Sequence, residues 1–210
     1  MAPIIDIVRH AESQHQIEGD HLRDPSLTEK GISQAVGLGE TYPYMDDVKA
    51  IVSSPMRRAI QTTRLAFSPL IKEKSMLILC IRELQETSAR PSDTGSPWQE
   101  LRYEFGSDVD LSLLYGPEWY KDTTGVHGPD PARVAERARQ ARVFIRDNAR
   151  ALGDCDRVVV VTHSQFVRVL IQGEPEFKNA EYRSCQFDDL FGDDDQAILR
   201  EIAPAGAEGV

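Results

Sequence analysis

Cysteine is scarce in this sequence. Only three occur among 210 residues, at Cys80, Cys155 and Cys185, and they lie far apart. An odd number at such spacing fits neither a disulfide framework nor a structural metal site. A chain that relies on neither suits the reducing interior of a cell, and we expect a cytoplasmic protein.

Long apolar runs are missing too. No stretch approaches the ~20 apolar residues of a membrane-spanning helix, and the first apolar segment begins already at Ile4, so we expect neither a membrane association nor a secretory signal. Positive charge is in deficit, with 24 Lys and Arg against 34 Asp and Glu and a net charge of −10. Because nucleic-acid-binding proteins usually carry a basic face, we expect no nucleic-acid partner. An anionic substrate would need a local basic pocket.

Short apolar runs and amphipathic stretches alternate along the chain. The predicted strands are 4–8, 48–52, 76–81 and 157–162, with a weaker one at 196–202. The predicted helices are 28–41, 55–67, 131–152 and 164–172. Thr28 and Asp130 suit helix N-caps, and Pro55 and Pro131 suit first helical positions. This alternation predicts a single α/β domain over 1–210, a three-layer α/β/α sandwich around a mostly parallel sheet.

Residues 88–129 interrupt the alternation. The region is rich in Gly, Pro, Ser and Asp and too long for an ordinary connection. Two interpretations stay open: an inserted lid that sets specificity, or a surface excursion whose aromatic side chains pack on the domain. The weak specificity candidates are Arg90, Trp98, Arg102, Tyr120 and His127. A lid with aromatic and cationic side chains suits a small phosphorylated metabolite better than a phosphoprotein.

Titratable side chains follow the predicted strands. Arg9-His10 ends the first, 54–62 follows the second, 84–86 the third and Thr162-His163-Ser164 the fourth. Ligands of open α/β sheets bind beyond the carboxyl ends of the strands. Each residue alone has an ordinary structural explanation, but together they predict an anion pocket with a histidine nucleophile.

The same segments resemble the histidine phosphatase superfamily, in its phosphoglycerate mutase-like phosphatase branch. The resemblance lies in Arg9-His10-Ala11 (Arg-His-Gly in the family), Glu12-Ser13, 24–31 (P-L-T-x-x-G), 54–62 (S-P-x-x-R-A-x-Q-T), Thr162-His163-Ser164 and Asn179-Ala180-Glu181. These matches run in order over nearly the whole chain.

The resemblance implies a mechanism. His10 would attack phosphorus and form a phosphohistidine, and Arg9 and Arg58 would hold the phosphoryl oxygens. His163 would add a further donor, protonated once phosphate is bound. Because the arginines supply the positive charge, neither a metal nor another cofactor is expected.

Other roles are assigned less firmly by the resemblance. The general acid is Glu86 in the pattern Leu-x-Glu, with Glu83 as the fallback. Gln16 stands where the family often has asparagine and would contact phosphate through its amide. Ser164 replaces a glycine beside His163, and Ala11 replaces a glycine beside His10. We expect both replacements to change the level of activity without abolishing it. Family members are monomers, dimers or larger, so a homodimer stays open.

Three alternatives remain. A mutase would carry an arginine pair in the insertion, and 88–129 has none, so a phosphatase is favoured. A relative that binds a phosphorylated ligand without catalysis, or one recruited to other chemistry, is compatible with the changes at positions 11, 16 and 164. A serine hydrolase with Ser164 as nucleophile would need flanking glycines and a later histidine, and His163 is the last in the chain.

Overall fold

The computed structural model describes residues 2–114, 116, 118–120, 128–173 and 175–202. Its strands are β1 (Ile4–Arg9), β2 (Val48–Ser53), β3 (Ile78–Cys80), β4 (Val109–Asp110), β5 (Arg157–Thr162), β6 (Tyr182–Phe187) and β7 (Leu199–Glu201). They form one sheet in the order β4-β3-β2-β5-β1-β6-β7. Strands β1 to β5 pair in parallel, whereas β6 and β7 are antiparallel. The sheet is therefore mostly parallel, as predicted.

Helices cover the sheet on both faces. They are α1 (His15–Glu18), α2 (Glu29–Thr41), α3 (Arg57–Ala66), α4 (Ser68–Lys72), α5 (Trp98–Phe105), α6 (Pro131–Ala149) and α7 (Ser164–Leu170). Alternate residues of β5 point to opposite faces, and all four of its valines are buried. Val158 and Val160 pack in the cluster with α6 and α7, and Val159 and Val161 in the cluster with α3. The fold is the predicted α/β/α sandwich.

Both predicted N-caps, Thr28 and Asp130, are confirmed. Thr28 Oγ1 accepts a hydrogen bond from Gly31 N at 2.9 Å, and Asp130 accepts from the first backbone amides of α6. Pro55, by contrast, was predicted to open a helix, but α3 begins at Arg57 with Met56 as its extended N-cap. Arg58 is therefore the second residue of its helix rather than the fourth.

The described part of 88–129 is integrated into the central domain. The region contains α5 and also β4, which pairs with β3 and extends the central sheet. Trp119 is almost fully buried against the sheet's core cluster. Part of the region therefore belongs to the domain itself. The described residues do not include Tyr115, His127 or the tail after Ile202. For that tail alone, the small and polar sequence predicts disorder.

A buried polar network ties β1 to β5. Both carboxylate oxygens of Asp6 accept from Arg157 Nη1, at 2.9 and 2.8 Å, and Ser184 Oγ donates to Oδ1 at 2.6 Å. Tyr42 donates its hydroxyl hydrogen to the same carboxylate, and burial together with that charge raises the pKa of Tyr42. The guanidinium of Arg157 also stacks 3.4 Å from the ring centroid of Tyr44. These contacts lie toward the amino end of β5, away from His163.

Two further observations concern the helices. At Gly31 in α2 a Cβ atom would lie 1.9 Å from the carbonyl oxygen of Glu12, so only glycine lets this helix pack on the loop after β1. Of the helices that the structure describes, none has both the length and the apolar character to cross a bilayer.

Candidate active site

His10 lies where β1 ends, next to the end of β5. Its backbone amide donates to Thr162 O at 2.9 Å, which continues the ladder between the two strands. Ring atom Nδ1 lies 2.7 Å from Ala11 O. A carbonyl oxygen only accepts, so Nδ1 carries the ring proton, and Nε2 keeps its lone pair. The side chain is almost completely buried.

His163 follows β5 and faces His10, with ring centroids 5.1 Å apart. Its Nε2 lies 2.8 Å from Ser54 Oγ. Ser54 Oγ also accepts from Met56 N at 3.3 Å. The Nδ1 atom of His163 is buried without a hydrogen-bond partner among the described residues. The cluster therefore has one ring nitrogen, Nδ1 of His163, that no described residue engages.

Arg58 is the arginine of α3 that reaches His10. Its side chain is fully buried, and Nε lies 3.3 Å from His10 Nε2. Nη1 donates to Ser92 O at 2.6 Å, and Nη2 donates to Asp93 Oδ1 at 2.9 Å. The neighbouring Arg57 points elsewhere, to Asp24, Ser96 and two glutamates of α5. This separation agrees with the choice of Arg58 over Arg57.

Arg9 completes the positive side of the cluster. Nη1 donates to Phe177 O at 2.6 Å, while Nε is buried without a hydrogen-bond partner in the part of the chain that the structure describes. Burial lowers the pKa of this guanidinium, and Glu86 and Glu181 act in the opposite direction. An anion beside His10 would satisfy a donor that the fold leaves unused.

The carboxylate of Glu86, in the loop after β3, lies against the first turn of α7, which follows His163. Its Oε1 accepts from Thr87 N and Phe166 N, each at 3.0 Å, and Oε2 accepts from Gln165 N at 3.4 Å. Two donors occupy Oε1, so a proton bound to this carboxyl lies on Oε2. Burial first, and the charge of Asp93 second, raise the pKa of Glu86. A raised pKa suits a general acid.

Arg137 of α6 fixes the backbone of that segment. Its guanidinium donates to the carbonyl oxygens of Glu83, Gln85 and Glu86, at 2.9, 2.5 and 3.0 Å, and lies 4.5 Å from the ring centroid of Phe166. Glu83 itself belongs to a short 3₁₀ turn and contributes its carbonyl there. The geometry therefore brings Glu86, rather than Glu83, toward the histidines.

Burial controls the protonation of the two histidines. It lowers the pKa of both His10 and His163 well below the usual histidine value, and the charge of Arg58 lowers both further. Both rings are therefore neutral in the free protein near neutral pH. A dianionic ligand would reverse part of this effect and allow His163 to take up a proton.

The other predicted phosphate contacts lie at the rim. Gln16 is exposed, and its amide exchanges hydrogen bonds with Asn179 at 3.1 and 3.2 Å. Asn179 Nδ2 in turn donates to His10 O at 3.1 Å. Ser164 is half-buried and opens α7 directly after His163. Both stand close enough to the histidines in the fold to remain candidates.

The residues predicted as weak specificity candidates differ in the contacts that they make. Arg90 bonds Asp20 at 2.6 Å, and the ring of Tyr120 lies under the guanidinium of Arg23. Arg102 instead donates to Gly106 O at the end of its own helix. Trp98 is exposed at the start of α5.

Sequence reasoning missed three members of the cluster. His15 was given no role, but its ring centroid lies 6.2 Å from that of His10 and its Nδ1 contacts Ser13 Oγ. Asp93 and Asn179 were given no role. The Ser-x-His spacing of Ser13 and His15 cannot show which side chains return to the sheet edge, since this depends on pairing with residues far along the chain.

A family model of the histidine phosphatase superfamily (branch 1) matches residues 5–190. The chain belongs to this superfamily. A probable phosphatase of Schizosaccharomyces pombe is 31% identical over 109 residues, which make up 48% of this chain and 49% of that protein. The alignment thus spans about half the length of this relative.

Solved structures of the superfamily share the fold. A mycobacterial glucosyl-3-phosphoglycerate phosphatase is 17% identical with a TM-score of 0.62, over 96% of this chain and 98% of that one. A phosphoserine phosphatase from Entamoeba histolytica, with phosphoserine bound, is 15% identical with a TM-score of 0.58, over 96% and 95%. At these identities the likeness concerns the fold alone.

One departure from the superfamily motif is structurally mild. Ala11 stands in place of glycine and is completely buried, and its backbone amide donates to Thr62 Oγ1 at 3.0 Å. Thr62 belongs to the motif after β2, so two superfamily motifs meet here. The methyl group of Ala11 lies within the buried packing at this point.

Proposed function

We propose that this chain is a metal-independent phosphatase that hydrolyses small phosphomonoesters through a phosphohistidine intermediate on His10. The observation that carries the proposal is the state of His10. The ring is buried and neutral, Nδ1 is held by Ala11 O, and Nε2 keeps a lone pair 3.3 Å from the guanidinium of Arg58. A nucleophile is thus placed beside a fixed positive charge.

In the first step, Nε2 of His10 attacks phosphorus, and the bond from phosphorus to the ester oxygen breaks. Arg9, Arg58 and His163, protonated once the phosphoryl group is bound, stabilise the charge on the phosphoryl oxygens. Glu86 transfers its proton from Oε2 to the leaving oxygen. The products are a free alcohol, phosphohistidine and ionised Glu86.

In the second step, ionised Glu86 takes a proton from water, and the water oxygen bonds to phosphorus as the bond to Nε2 breaks. Inorganic phosphate leaves, and Glu86 is again protonated for the next cycle. A carboxyl with a raised pKa can serve in both directions. Neither step needs a metal ion, because the arginines supply the positive charge.

The proposed substrate class is a small phosphorylated metabolite. Two structural neighbours are named for phosphoserine and glucosyl-3-phosphoglycerate, which are small phosphomonoesters. An aromatic and cationic surface, with Tyr120 under Arg23, would contact the organic part of such a substrate. Phosphoryl transfer between substrates, as in a mutase, is the alternative.

The test is hydrolysis of an aryl phosphate by the purified chain between pH 5 and 8 with EDTA present. We expect phosphate release at an unchanged rate when EDTA is added. A panel of phosphosugars, nucleotides, prenyl phosphates and phosphopeptides then defines the class. Turnover of phosphopeptides alone would contradict the small-metabolite assignment, and no turnover by a folded sample would contradict catalysis.

A second prediction separates the two candidate acids. Glu86→Gln is expected to lower kcat on an alkyl phosphate by about 10²-fold, since proton transfer by a placed acid contributes rate factors of this order. On an aryl phosphate the loss is smaller because the phenolate leaves without a proton. Glu83→Gln serves as the matched control and is expected to retain nearly full activity. The reverse result would assign the role to Glu83.

A further inference from the structure

The phosphate-binding arginine already has an anionic partner. Asp93 Oδ1 lies 2.9 Å from Arg58 Nη2, and 91% of the Asp93 side chain is shielded where it meets the fully buried Arg58. The second oxygen of Asp93 accepts from Ser88 Oγ at 2.5 Å. A buried guanidinium without a partner would be costly, so this ion pair neutralises Arg58 when no phosphate is present.

The segment that carries Asp93 is held on several sides. Ser92 O accepts from Arg58 Nη1 at 2.6 Å, and Ser92 Oγ donates to Asp20 at 3.1 Å. Gly95 is packed under Trp119 so closely that a Cβ atom there would lie 2.4 Å from the indole ring. Trp119 Nε1 also donates to Ser96 O at 2.9 Å. The carboxylate of Asp93 is therefore fixed beside Arg58 by the core and not by a loose loop.

We propose that Asp93 is a positioning residue of this site: its carboxylate holds the guanidinium of Arg58, and a bound phosphate must share that guanidinium with it. The proposal rests on the function proposed above, in which Arg58 binds the phosphoryl group. Three N–H groups of Arg58 are engaged in the free protein by His10, Ser92 and Asp93. Of the five that a guanidinium has, two remain for phosphate.

Two consequences follow from the charge of Asp93. First, it repels the incoming phosphate, so phosphate binds less tightly than Arg9 and Arg58 alone would allow. Second, its charge raises the pKa of Glu86, an effect that comes after burial in size. Asp93 would thus favour release of the product and keep the acid protonated at higher pH.

The charged and titratable groups around this pair come from several elements. Those acting on Glu86 or Asp93 are Arg9, Arg58, Arg137 and His15, together with the two carboxyls themselves. If the charge of Asp93 is removed, the other charged groups stay in place, so both consequences can be attributed to that one charge.

The test is Asp93→Asn, which keeps the shape and an oxygen acceptor for Arg58 but removes the charge. We expect inorganic phosphate to bind about tenfold more tightly, measured by calorimetry at pH 6 with EDTA, since a like charge at this range changes ionic equilibria by a factor of ten or more. The basic limb of the kcat/KM profile on an alkyl phosphate should move to lower pH, because activity is lost as pH rises through the pKa of Glu86, and that pKa falls.

Asp20→Asn is the matched control. Asp20 bonds the same segment, through Arg90 and Ser92, but does not contact Arg58. We expect its phosphate affinity to change by no more than about twofold, as for a partly exposed charge. If Asp93→Asn is poorly folded, Asp93→Ser gives a second uncharged variant for the same two measurements.

The outcomes separate this proposal from the proposed function. Wild-type turnover with unchanged or weaker phosphate binding and an unmoved basic limb in Asp93→Asn would overturn the role of Asp93 alone. A folded wild-type protein that neither binds phosphate nor turns over substrate would overturn both. Tighter binding together with the shifted limb would support the role, because loss of a purely structural contact does not tighten phosphate binding.

Discussion

His10→Asn is expected to abolish phosphomonoester hydrolysis, with kcat falling at least about 10³-fold, because removing a nucleophile eliminates the step on which the others depend. Asparagine can still donate to Ala11 O from its amide, so the loop after β1 should keep its conformation. Arg9, Arg58 and His163 remain in place. Phosphate binding should therefore fall much less than turnover.

The intermediate gives a direct measurement. Wild-type protein quenched within milliseconds of mixing with labelled substrate is expected to carry a phosphoryl group that is lost in acid and kept in alkali, as for phosphohistidine. His10→Asn should carry none. His21→Asn is the control, since His21 is exposed. Undiminished labelling of His10→Asn would move the nucleophile elsewhere, and His163 would be the next candidate.

Arg157→Met is expected to cost the fold about 3–5 kcal/mol of unfolding free energy, since it leaves the carboxylate of Asp6 buried without its ion-pair partner. The contacts to Tyr42 and Ser184 remain but do not neutralise the charge. Urea unfolding at pH 7 measures the loss. Activity per folded molecule should be unchanged, because Arg157 and His163 lie at opposite ends of the β5 segment, about 20 Å apart at the usual rise per residue.

Arg200→Met provides the comparison. Arg200 also pairs with an aspartate, Asp188, at 2.8 Å, but both side chains are largely exposed. Exposed pairs contribute about 0–1 kcal/mol, so the control should stay within that range. An equal loss in both variants would show that burial of the Asp6 network adds nothing to stability.

The core of the fold was accessible from the sequence because its signal is local. The apolar runs at 4–8 and 157–162 become β1 and β5, the paired central strands, and each is followed within one residue by a histidine. Adjacent parallel strands bring their carboxyl ends together, so His10 and His163 had to meet. The placement of Arg58 beside His10 follows in the same way from α3 after β2.

The remainder depends on contacts between distant segments. β6 contains Arg183, Ser184 and Gln186, a polar sequence that becomes a strand only because β1 is available to pair with it. α5 and β4 lie in the region interpreted as a lid, where Gly and Pro obscure the periodicity. Asp93 is 35 residues from Arg58, and no spacing rule links them. The surface proposed to contact the organic part of the substrate is therefore the part of the site that the sequence predicts least well.

The hydrogen bonds of Glu86 link its proton to the helix that begins after His163. When Glu86 is ionised, the first turn of α7 is capped by a full negative charge through Gln165 N and Phe166 N. When it is protonated, the same amides meet a neutral group and the cap weakens. In the cycle proposed above Glu86 loses and regains its proton once, so the cap at the start of α7, next to His163, would strengthen and weaken once per turnover.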